Sequence, residues 1–370
     1  MSAGRSVGGA VGACVVAMLT VGAAALTAGA AAAQPLPSDD GPILGLGEGS
    51  YSSVPVPAGP VATGHAEAAE YAENNPDVAP AGSNDFACVP SEEHPRPVVL
   101  AHGTDSNAYS DFAALSPLLA ASGWCVFALN YGFADGAEDY GTGDIRVSAA
   151  QFGEFVTEVL DATGAEEVDV IGYSQGATVA RYYINELGGS EVVDRWVGVA
   201  SPSYGGTFYG IGAAFATLPG ATDIVEGEFS VALVQQLQGS ELLNELNTPT
   251  DTVPGVRYTT IGSEVDEVIQ PAGNVALHGE GAVNYVIQEL CPQDLTGHFN
   301  MVYDPFSLQL ARHALDPDRY AIGECTPVAL GTGIPELILQ SNTGAPCCSG
   351  TDLREVTARR GDAGPTTSTP

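Results

Sequence analysis

The sequence predicts an α/β fold built on a doubly wound, mostly parallel sheet. Short apolar runs, typical of buried strands, alternate along the chain with longer runs whose apolar residues recur at the helical period. The loops between these runs are short, as in successive strand–helix–strand units. One apolar run, at 168–171, leads through the pentapeptide Gly-Tyr-Ser-Gln-Gly at 172–176 directly into a helical pattern. We expect the chemistry at the carboxyl edge of the sheet.

The predicted elements begin near Cys88. Strands are expected at 97–101, 125–129, 168–171, 196–200, 256–261 and 284–290, with a Gly/Asp-rich loop at 131–143. Helices are expected at 111–121, 145–162, 177–187 and 306–315, with a further helical piece at 229–246. Residues 207–220 are apolar and rich in small side chains, which fits either a buried helix or a mobile flap over a cleft.

The first 33 residues have the pattern of a secretory signal peptide. Residues 11–33 are almost all small and apolar, and they end in three alanines before Gln34, as at an A-x-A cleavage site. A membrane anchor is the alternative, which the Ala/Gly-rich composition disfavours. We expect a secreted protein with a signal peptide at 1–33, a Pro/Gly-rich arm at 34–85, one α/β domain at 86–348 and a disordered tail at 349–370. The arm contains one predicted short helix near 66–73.

The chain is strongly acidic, with 11 Lys and Arg residues against 45 Asp and Glu residues and a formal net charge of −34. Such a chain repels nucleic acid and anionic lipid surfaces, so we exclude nucleic acid as a partner. Solubility is the plain explanation of the charge, and acidic specificity for a cationic partner is the alternative. No Cys/His spacing typical of a metal site is present, and we expect a monomer without metal or cofactor.

Six cysteines remain after removal of the signal peptide: Cys88, Cys125, Cys291, Cys325, Cys347 and Cys348. An even number of cysteines in a secreted chain indicates disulfides. Of the fifteen pairings that six cysteines allow, sequence proximity favours Cys88–Cys125 and Cys291–Cys325. The adjacent Cys347 and Cys348 could form a vicinal disulfide, pair outside the chain or stay reduced.

The pentapeptide at 172–176 fits a nucleophile elbow, in which Ser174 is the nucleophile. A sharp reversal between strand and helix crowds the backbone on both sides of the serine, and glycine tolerates that crowding at Gly172 and Gly176. A serine hydroxyl also needs a base within reach and a carboxylate that orients the base. In such elbows the acid and then the histidine follow the serine along the chain.

Three histidines follow Ser174, namely His278, His298 and His313. His313 lies inside a predicted helix, whereas His298 lies between the last strand and the last helix, where the base belongs. His298 is therefore preferred, with His278 as the alternative.

The acid is less clearly fixed by position. Asp266 follows the strand at 256–261 by a few residues, but Glu264 and Glu267 lie beside it. Spacing alone favours Asp266 and leaves both neighbours open.

Two donors are needed for the oxyanion of the tetrahedral intermediate. One is expected from Gln175, the residue after the nucleophile, and the other from Thr104 in the loop after the first strand. Thr104 can offer its N–H and also its hydroxyl. His102 precedes the serine in the chain, so we expect it to shape this loop instead of acting as the base.

Further motifs resemble one family of lipases. They are His-Gly-Thr at 102–104, Ser-Tyr-Gly-Gly-Thr at 203–207 against D-Y-K-G-T, Gln-Gln at 235–236 followed by Gly-Ser at 239–240, and Asp-Glu-Val-Ile-Gln-Pro at 266–271 against D-E-I-V-Q-P. From about 85 to 329 the chain resembles the α/β-hydrolase lipases of the Candida antarctica lipase B type and the related secreted actinobacterial lipases. The resemblance implies an α/β-hydrolase fold with a small helical lid insertion, and it favours Asp266 as the acid.

The resemblance also implies roles for further residues. It implies that Cys88–Cys125 and Cys291–Cys325 are disulfides, that Thr104 and Gln175 line the oxyanion hole, and that 207–220 is a short lid. The implied substrate-binding residues are Tyr173, Ser203, Gln236, Val268 and Ile269. The chain departs from the family where Tyr173 replaces a tryptophan, Ser203 an aspartate, Asp105-Ser106-Asn107 a glycine-rich loop, and Gly297 an aspartate before the histidine. These changes affect the expected preference for the acyl-chain length and the stereochemistry of the substrate.

The sequence therefore predicts a secreted serine lipase or esterase that hydrolyses carboxylic esters, acylglycerols among them, through an acyl-enzyme. Its expected partners are a lipid or small ester substrate and a transient contact with the lipid–water interface. A short-chain or polyester hydrolase is the first alternative. A non-catalytic secreted binding protein on the same scaffold and an acyltransferase are the others.

Overall fold

A computed structural model of the 370-residue chain describes residues 50–134, 137, 139–206 and 230–334. The predicted signal peptide, the predicted lid at 207–220, the adjacent Cys347 and Cys348, and the tail at 349–370 lie outside these residues. No helix within the described ranges is both long enough and apolar enough to cross a membrane.

Seven strands of the described residues form one sheet. They are β1 Ser50–Ser53, β2 Val98–Ala101, β3 Val126–Ala134, β4 Val168–Tyr173, β5 Val193–Val199, β6 Arg257–Gly262 and β7 Val283–Val286. The order across the sheet is β1-β3-β2-β4-β5-β6-β7. Strands β2 to β7 run parallel, and β1 pairs antiparallel with β3 at one edge. The predicted α/β fold with a mostly parallel sheet is confirmed.

The helices of the described residues lie between the strands and after the last one. They are α1 His65–Asn74, α2 Ala108–Phe112, α3 Leu115–Ala121, α4 Ile145–Thr163, α5 Gln175–Glu186, α6 Val231–Gln235, α7 Glu241–Leu246, α8 Ile287–Leu290 and α9 Pro305–Leu315. The predicted helices at 145–162, 177–187 and 306–315 are thus present, with ends shifted by one or two residues.

The sheet is buried on both faces, and β2 shows why its sequence is continuously apolar. Val98 and Leu100 belong to the core cluster that also contains apolar residues of α2, α3 and α9. Val99 and Ala101 point the opposite way, into a second cluster with residues of α4 and α5. All four residues are fully buried. Each larger aliphatic side chain buried in this way contributes about 1.5–3 kcal/mol, so both faces of the strand stabilise the layer packing.

The single helix predicted at 111–121 is two helices in the structure. Helix α2 starts earlier than predicted because the Asn107 side chain accepts the N–H of Ser110 at 3.0 Å, which caps its first turn. The helix does not continue into α3 because Pro117 has no N–H to donate to the carbonyl of Ala113 and its ring would collide with that carbonyl. The proline therefore falls in the first turn of a new helix.

Two strand predictions differ from the structure in extent. Strand β3 continues to Ala134, into the predicted Gly/Asp-rich loop, because β1 pairs with its far end. The predicted strand at 284–290 ends at Val286, and Ile287–Leu290 forms the short helix α8 instead. The helical turn brings the side chain of Gln288 to the loop after β6, where it accepts a backbone N–H at 2.8 Å.

Residues 50–85 pack more closely than the extended arm that their composition predicts. The short helix expected near 66–73 is α1, and its Ala68 and Ala72, spaced by one helical turn, are buried in the core cluster of α2, α3 and α9. Asn84 joins the segment to β3, because its side chain accepts the N–H of Ala128 at 2.8 Å and donates to the carbonyl of Ala128 at 2.9 Å. Small buried alanines explain why hydrophobicity alone does not reveal this packing.

Both disulfides favoured by the sequence are present, Cys88–Cys125 and Cys291–Cys325. Their sequence separations are 37 and 34 residues. Closing loops of that size stabilises the folded chain by about 3–4 kcal/mol each in the chain-entropy estimate. The second disulfide encloses the segment that carries His298 and α9.

Candidate active site

Ser174 occupies a sharp turn between β4 and α5. Its backbone has φ 50° and ψ −121°, a conformation that residues with a side chain rarely adopt. A Cβ at Gly172 would overlap the backbone of Ala177, and a Cβ at Gly176 would overlap the carbonyl oxygen of Ala101. The two glycines therefore permit the turn, and the turn presents the Ser174 hydroxyl at the carboxyl edge of the sheet.

The structure brings the three predicted triad residues together. His298 Nε2 lies 3.1 Å from Ser174 Oγ, and His298 Nδ1 lies 2.9 Å from Asp266 Oδ2. All three side chains are buried. They follow β4, β6 and β7 along the chain, and the parallel sheet places the ends of these strands at one edge. This is the geometry of a nucleophile, a general base and an orienting acid.

The competing candidates lie elsewhere. The ring of His278 stacks on that of Tyr204, with centroids 4.7 Å apart. His313 lies within α9, as the sequence predicts. Glu264 is exposed to solvent. None of these three side chains contacts Ser174 among the described hydrogen bonds, so geometry resolves the alternatives that spacing leaves open.

Asp266 is held by the residues that follow it. Its Oδ1 accepts the backbone N–H of Val268 at 2.8 Å and that of Ile269 at 2.7 Å, which leaves Oδ2 for the imidazole. The side chains of Val268 and Ile269 form a small buried cluster with Val275, against which Phe299 packs. Both predicted pocket residues therefore lie at the site, and their backbone fixes the acid.

Glu267 contacts the same histidine from its backbone side. The N–H of His298 donates to Glu267 Oε2 at 2.9 Å. Gly297 makes room for this contact, since a Cβ there would overlap the Glu267 carboxylate. From spacing alone, Glu267 is only a competitor for the role of Asp266. A glycine directly before the catalytic histidine, where the resembled lipases have an aspartate, is the signal that points to a second carboxylate.

The two carboxylates act on the acid–base behaviour of His298. Burial by itself would lower the pKa of His298, but the charge and hydrogen bond of Asp266, with the charge of Glu267, outweigh it and raise the pKa above its ordinary value. Because the imidazolium is stabilised, His298 is a stronger base toward the serine hydroxyl.

Tyr173, predicted to bind substrate, contacts the histidine loop. Its hydroxyl donates to the carbonyl oxygen of His298 at 3.1 Å, and the two rings lie 5.3 Å apart. Burial, with the charges of Asp111 and Asp266, raises the pKa of Tyr173 well above its ordinary value, so the hydroxyl stays a donor. The residue that replaces the family's tryptophan therefore donates a hydrogen bond to the backbone of the catalytic histidine.

Two glutamine side chains converge on Thr104. Gln175 Nε2 and Gln236 Nε2 each donate to Thr104 Oγ1 at 2.9 Å. Both lone pairs of the hydroxyl are thereby used, so its hydrogen is left to point in a third direction. Gln175 is also the first residue of α5, where backbone N–H groups have no partner within the helix. The predicted oxyanion residues are thus adjacent, and Gln236 supports Thr104.

His102 shapes the loop that carries Thr104. Its Nδ1 lies 2.8 Å from the carbonyl oxygen of Gly103, and its Nε2 accepts the N–H of Tyr131 at 3.2 Å. The Tyr131 ring stacks on it at 4.1 Å. Burial lowers the pKa of His102 to about 4, so the ring is neutral at physiological pH. A neutral, fully hydrogen-bonded ring fits the predicted shaping role.

Ser203 is fully buried. Its hydroxyl donates to the carbonyl oxygen of Val275 at 2.8 Å and lies 3.0 Å from Ser201 Oγ. Its own carbonyl accepts from the buried guanidinium of Arg181 at 3.2 Å. These contacts tie the loop after β5 to the loop after β6. The predicted contact of Ser203 with substrate stays a prediction.

The sequence profile of the family described as Lipase (class 2) matches residues 95–311, more than half of the chain. The matched range includes Ser174, Asp266 and His298. The chain belongs to the class 2 lipases. Residues 50–94 of this class 2 lipase, including β1 and α1, lie outside the matched range.

Solved structures similar to this class 2 lipase include two other lipases. Aspergillus fumigatus lipase B has a TM-score of 0.50 at 18% identity, covering 68% of this chain and 61% of that chain. This chain therefore spans about three fifths of that protein's length. Mature Bacillus licheniformis lipase BlEst2 has a TM-score of 0.46 at 16% identity, covering 61% of this chain and 94% of that chain. The first likeness supports the α/β-hydrolase fold.

Within the part of the class 2 lipase that the structure describes, no group of three or more His, Cys, Asp or Glu side chains is placed to hold a metal ion.

Proposed function

We propose that this chain is a secreted serine lipase or esterase that hydrolyses carboxylic esters, acylglycerols among them, through an acyl-enzyme intermediate. One observation carries the proposal: His298 lies between Ser174 Oγ, at 3.1 Å, and Asp266 Oδ2, at 2.9 Å. Membership in the class 2 lipases supports the ester as substrate class.

In the proposed first step, Ser174 Oγ attacks the ester carbonyl carbon while His298 Nε2 takes the hydroxyl proton. The tetrahedral intermediate then collapses, the bond to the alcohol oxygen breaks, and His298 returns the proton to the leaving alcohol. Asp266 keeps the proton on Nδ1 and stabilises the imidazolium. Water repeats the sequence on the acyl-enzyme and releases the acid.

The developing negative charge on the carbonyl oxygen would be met by donors of two elements. Gln175 offers its N–H at the start of α5, where the helix dipole also favours negative charge. Thr104 offers its N–H and its hydroxyl, whose lone pairs are engaged by Gln175 and Gln236. Each such donor is worth about 10²–10³-fold in kcat.

Secretion, a monomeric state and a transient contact with the lipid–water interface belong to the same proposal. The signal-like sequence at 1–33 and the disulfides Cys88–Cys125 and Cys291–Cys325 support secretion. The net charge of −34 supports a soluble chain that avoids anionic surfaces.

Hydrolysis of p-nitrophenyl butyrate by the wild type and by Ser174→Ala tests the reaction. The variant should fold normally and lose about 10⁴–10⁶-fold in kcat. Retention of most activity would show that Ser174 is not the nucleophile.

Rates on tributyrin, triolein and polyester film then separate a lipase from a short-chain or polyester hydrolase. Fluorophosphonate labelling of Ser174 would exclude a non-catalytic binding protein. Product analysis with added alcohols would reveal an acyltransferase.

A further inference from the structure

The turn that carries Thr104 is held at both peptide groups of Gly103. Asp111 Oδ2 accepts the N–H of Gly103 at 2.6 Å, and His102 Nδ1 lies 2.8 Å from its carbonyl oxygen. A peptide group is planar and trans, so fixing the Gly103 carbonyl also fixes the Thr104 N–H, which points the opposite way. The direction of this oxyanion donor therefore depends on Asp111 and His102.

Asp111 also holds the other end of the turn. Its Oδ1 accepts the hydroxyl of Ser106 at 2.8 Å, so one carboxylate joins residues 103 and 106. The Asp111 side chain is fully buried. A buried carboxylate is costly unless it is paired and hydrogen-bonded, so its partners decide whether it stays in place.

The remaining partner of Asp111 comes from outside the family-matched range. His65 Nε2, on the first residue of α1, lies 3.0 Å from Asp111 Oδ1. His65 Nδ1 is buried and has no hydrogen-bond partner among the described residues. The tautomer that carries its hydrogen on Nε2 leaves no buried N–H unpaired, and this tautomer donates to Asp111.

The His65 ring also contacts two aromatic residues that follow the catalytic histidine in the chain. Its ring lies 6.3 Å from that of Phe299, the residue after the catalytic histidine, and 6.2 Å from that of Tyr303. Burial would raise the pKa of Asp111, but the hydrogen bond from His65, followed by that from the N–H of Gly103, outweighs it and lowers that pKa.

We propose that His65 is a positioning residue for ester hydrolysis: it holds Asp111 in place, and Asp111 holds the Gly103–Thr104 turn in the conformation that donates to the oxyanion. The inference rests on the proposed function and adds the N-terminal segment to the catalytic apparatus. A residue of this kind acts on the transition state more than on bound substrate, because the oxyanion exists only after attack.

Two substitutions separate the hydrogen bond of His65 from its packing. His65→Gln keeps a donor at the Nε2 position and removes the ring. His65→Phe keeps the ring against Phe299 and Tyr303 and removes the donor. Glu67→Ala is the matched control on the same helix, since Glu67 accepts from the N–H and hydroxyl of Thr63 at 3.0 and 2.9 Å and has no contact with Asp111 among the described hydrogen bonds.

Kinetics of p-nitrophenyl butyrate hydrolysis, expressed per chain labelled at Ser174 by a fluorophosphonate, give the readout. Inhibition by phenylboronic acid, which forms a tetrahedral adduct on serine, gives a second one. His65→Phe should lower kcat about 10–100-fold, with KM within about twofold of the wild type. It should also lower the affinity for phenylboronic acid by a factor similar to the loss in kcat. His65→Gln should retain most of the kcat and of the boronic acid affinity, and Glu67→Ala should lower only the melting temperature.

The inference is overturned if His65→Phe keeps wild-type kcat and boronic acid affinity, if His65→Gln is as impaired as His65→Phe, or if Glu67→Ala loses as much kcat. Should His65→Phe not fold, His65→Leu replaces it under the same expectations. Failure of the proposed function has a different signature, since Ser174→Ala would then hydrolyse the ester as fast as the wild type.

Discussion

The backbone N–H of His298 donates to Glu267 Oε2 across 2.9 Å, beside the buried Asp266 that orients the imidazole. Both carboxylates raise the pKa of His298, although burial opposes them. The catalytic base must be neutral, so kcat/KM rises as the pH passes upward through the pKa of His298.

Glu267→Gln keeps an acceptor for the His298 N–H and removes the charge. The pKa of His298 should fall, and the acid limb of the pH profile of kcat/KM should move to lower pH. Glu264→Gln, the same change on an exposed neighbour, should leave the limb in place. Equal shifts in the two variants, or none in Glu267→Gln, would contradict the assigned contact.

A methyl group at Gly297 should disturb the same contact, because a Cβ there overlaps the Glu267 carboxylate. Gly297→Ala should lower the free energy of unfolding by about 1–3 kcal/mol, as overpacking does. The loss should shrink in a Glu267→Ala background, where the carboxylate is gone. Urea unfolding of the four proteins measures this coupling, and strictly additive losses would show that the two residues do not interact.

Thr104→Val removes the hydroxyl that two glutamine side chains hold. It should lower kcat about 10²–10³-fold, as loss of one oxyanion donor does. Thr104→Ser keeps the hydroxyl and should retain most of the activity. Hydrolysis of p-nitrophenyl butyrate compares the two, and similar rates would assign the oxyanion contact to the backbone N–H alone.

Two buried carboxyl groups, Asp294 and Asp304, flank the segment that carries His298, and each has one buried oxygen without a partner among the described hydrogen bonds. Burial, with the charge of Asp294, raises the pKa of Asp304 to about 7. An unfolded chain has an aspartate pKa of about 4. Between that pH and about 7, the folded chain binds more protons than the unfolded chain, so the contribution of Asp304 to the free energy of unfolding falls as pH rises.

Asp304→Asn should remove that pH dependence, since the amide is neutral and can still accept the N–H of Ser307 at the start of α9. The free energy of unfolding of Asp304→Asn should therefore increase relative to that of the wild type as pH rises from about 4 to about 7. Asp318→Asn, at an exposed carboxylate just beyond the same helix, is the control. Parallel pH curves for the wild type and Asp304→Asn would contradict the raised pKa of Asp304.

The triad could be predicted because each member follows a strand that local pattern reveals. The elbow at Ser174 has its own glycine signature, and His298 falls between the last strand and the last long helix, beyond the short helix α8. Asp266 could not be separated from Glu267 by spacing, because adjacent acids differ only in which way the turn points them. In the structure, Asp266 contacts the imidazole of His298, whereas Glu267 accepts the backbone N–H of His298.

Contacts between distant segments were not predictable in the same way. His65 and Asp111 are 46 residues apart, and neither carries a motif. The packing of residues 50–85 depends on small alanines, whose individual hydrophobic signal is weak. The break between α2 and α3 could have been read from Pro117, whose missing N–H forbids a continuous helix.

Reaction with diethyl p-nitrophenyl phosphate tests whether Ser174 is an activated nucleophile, because the reagent phosphorylates an activated serine and releases p-nitrophenolate. We expect one equivalent of p-nitrophenolate per folded chain, a diethylphosphoryl group on the peptide containing Ser174, and complete loss of ester hydrolysis. His298→Ala should react far more slowly. Full ester hydrolysis after treatment, or a label on another residue, would show that Ser174 is not the nucleophile.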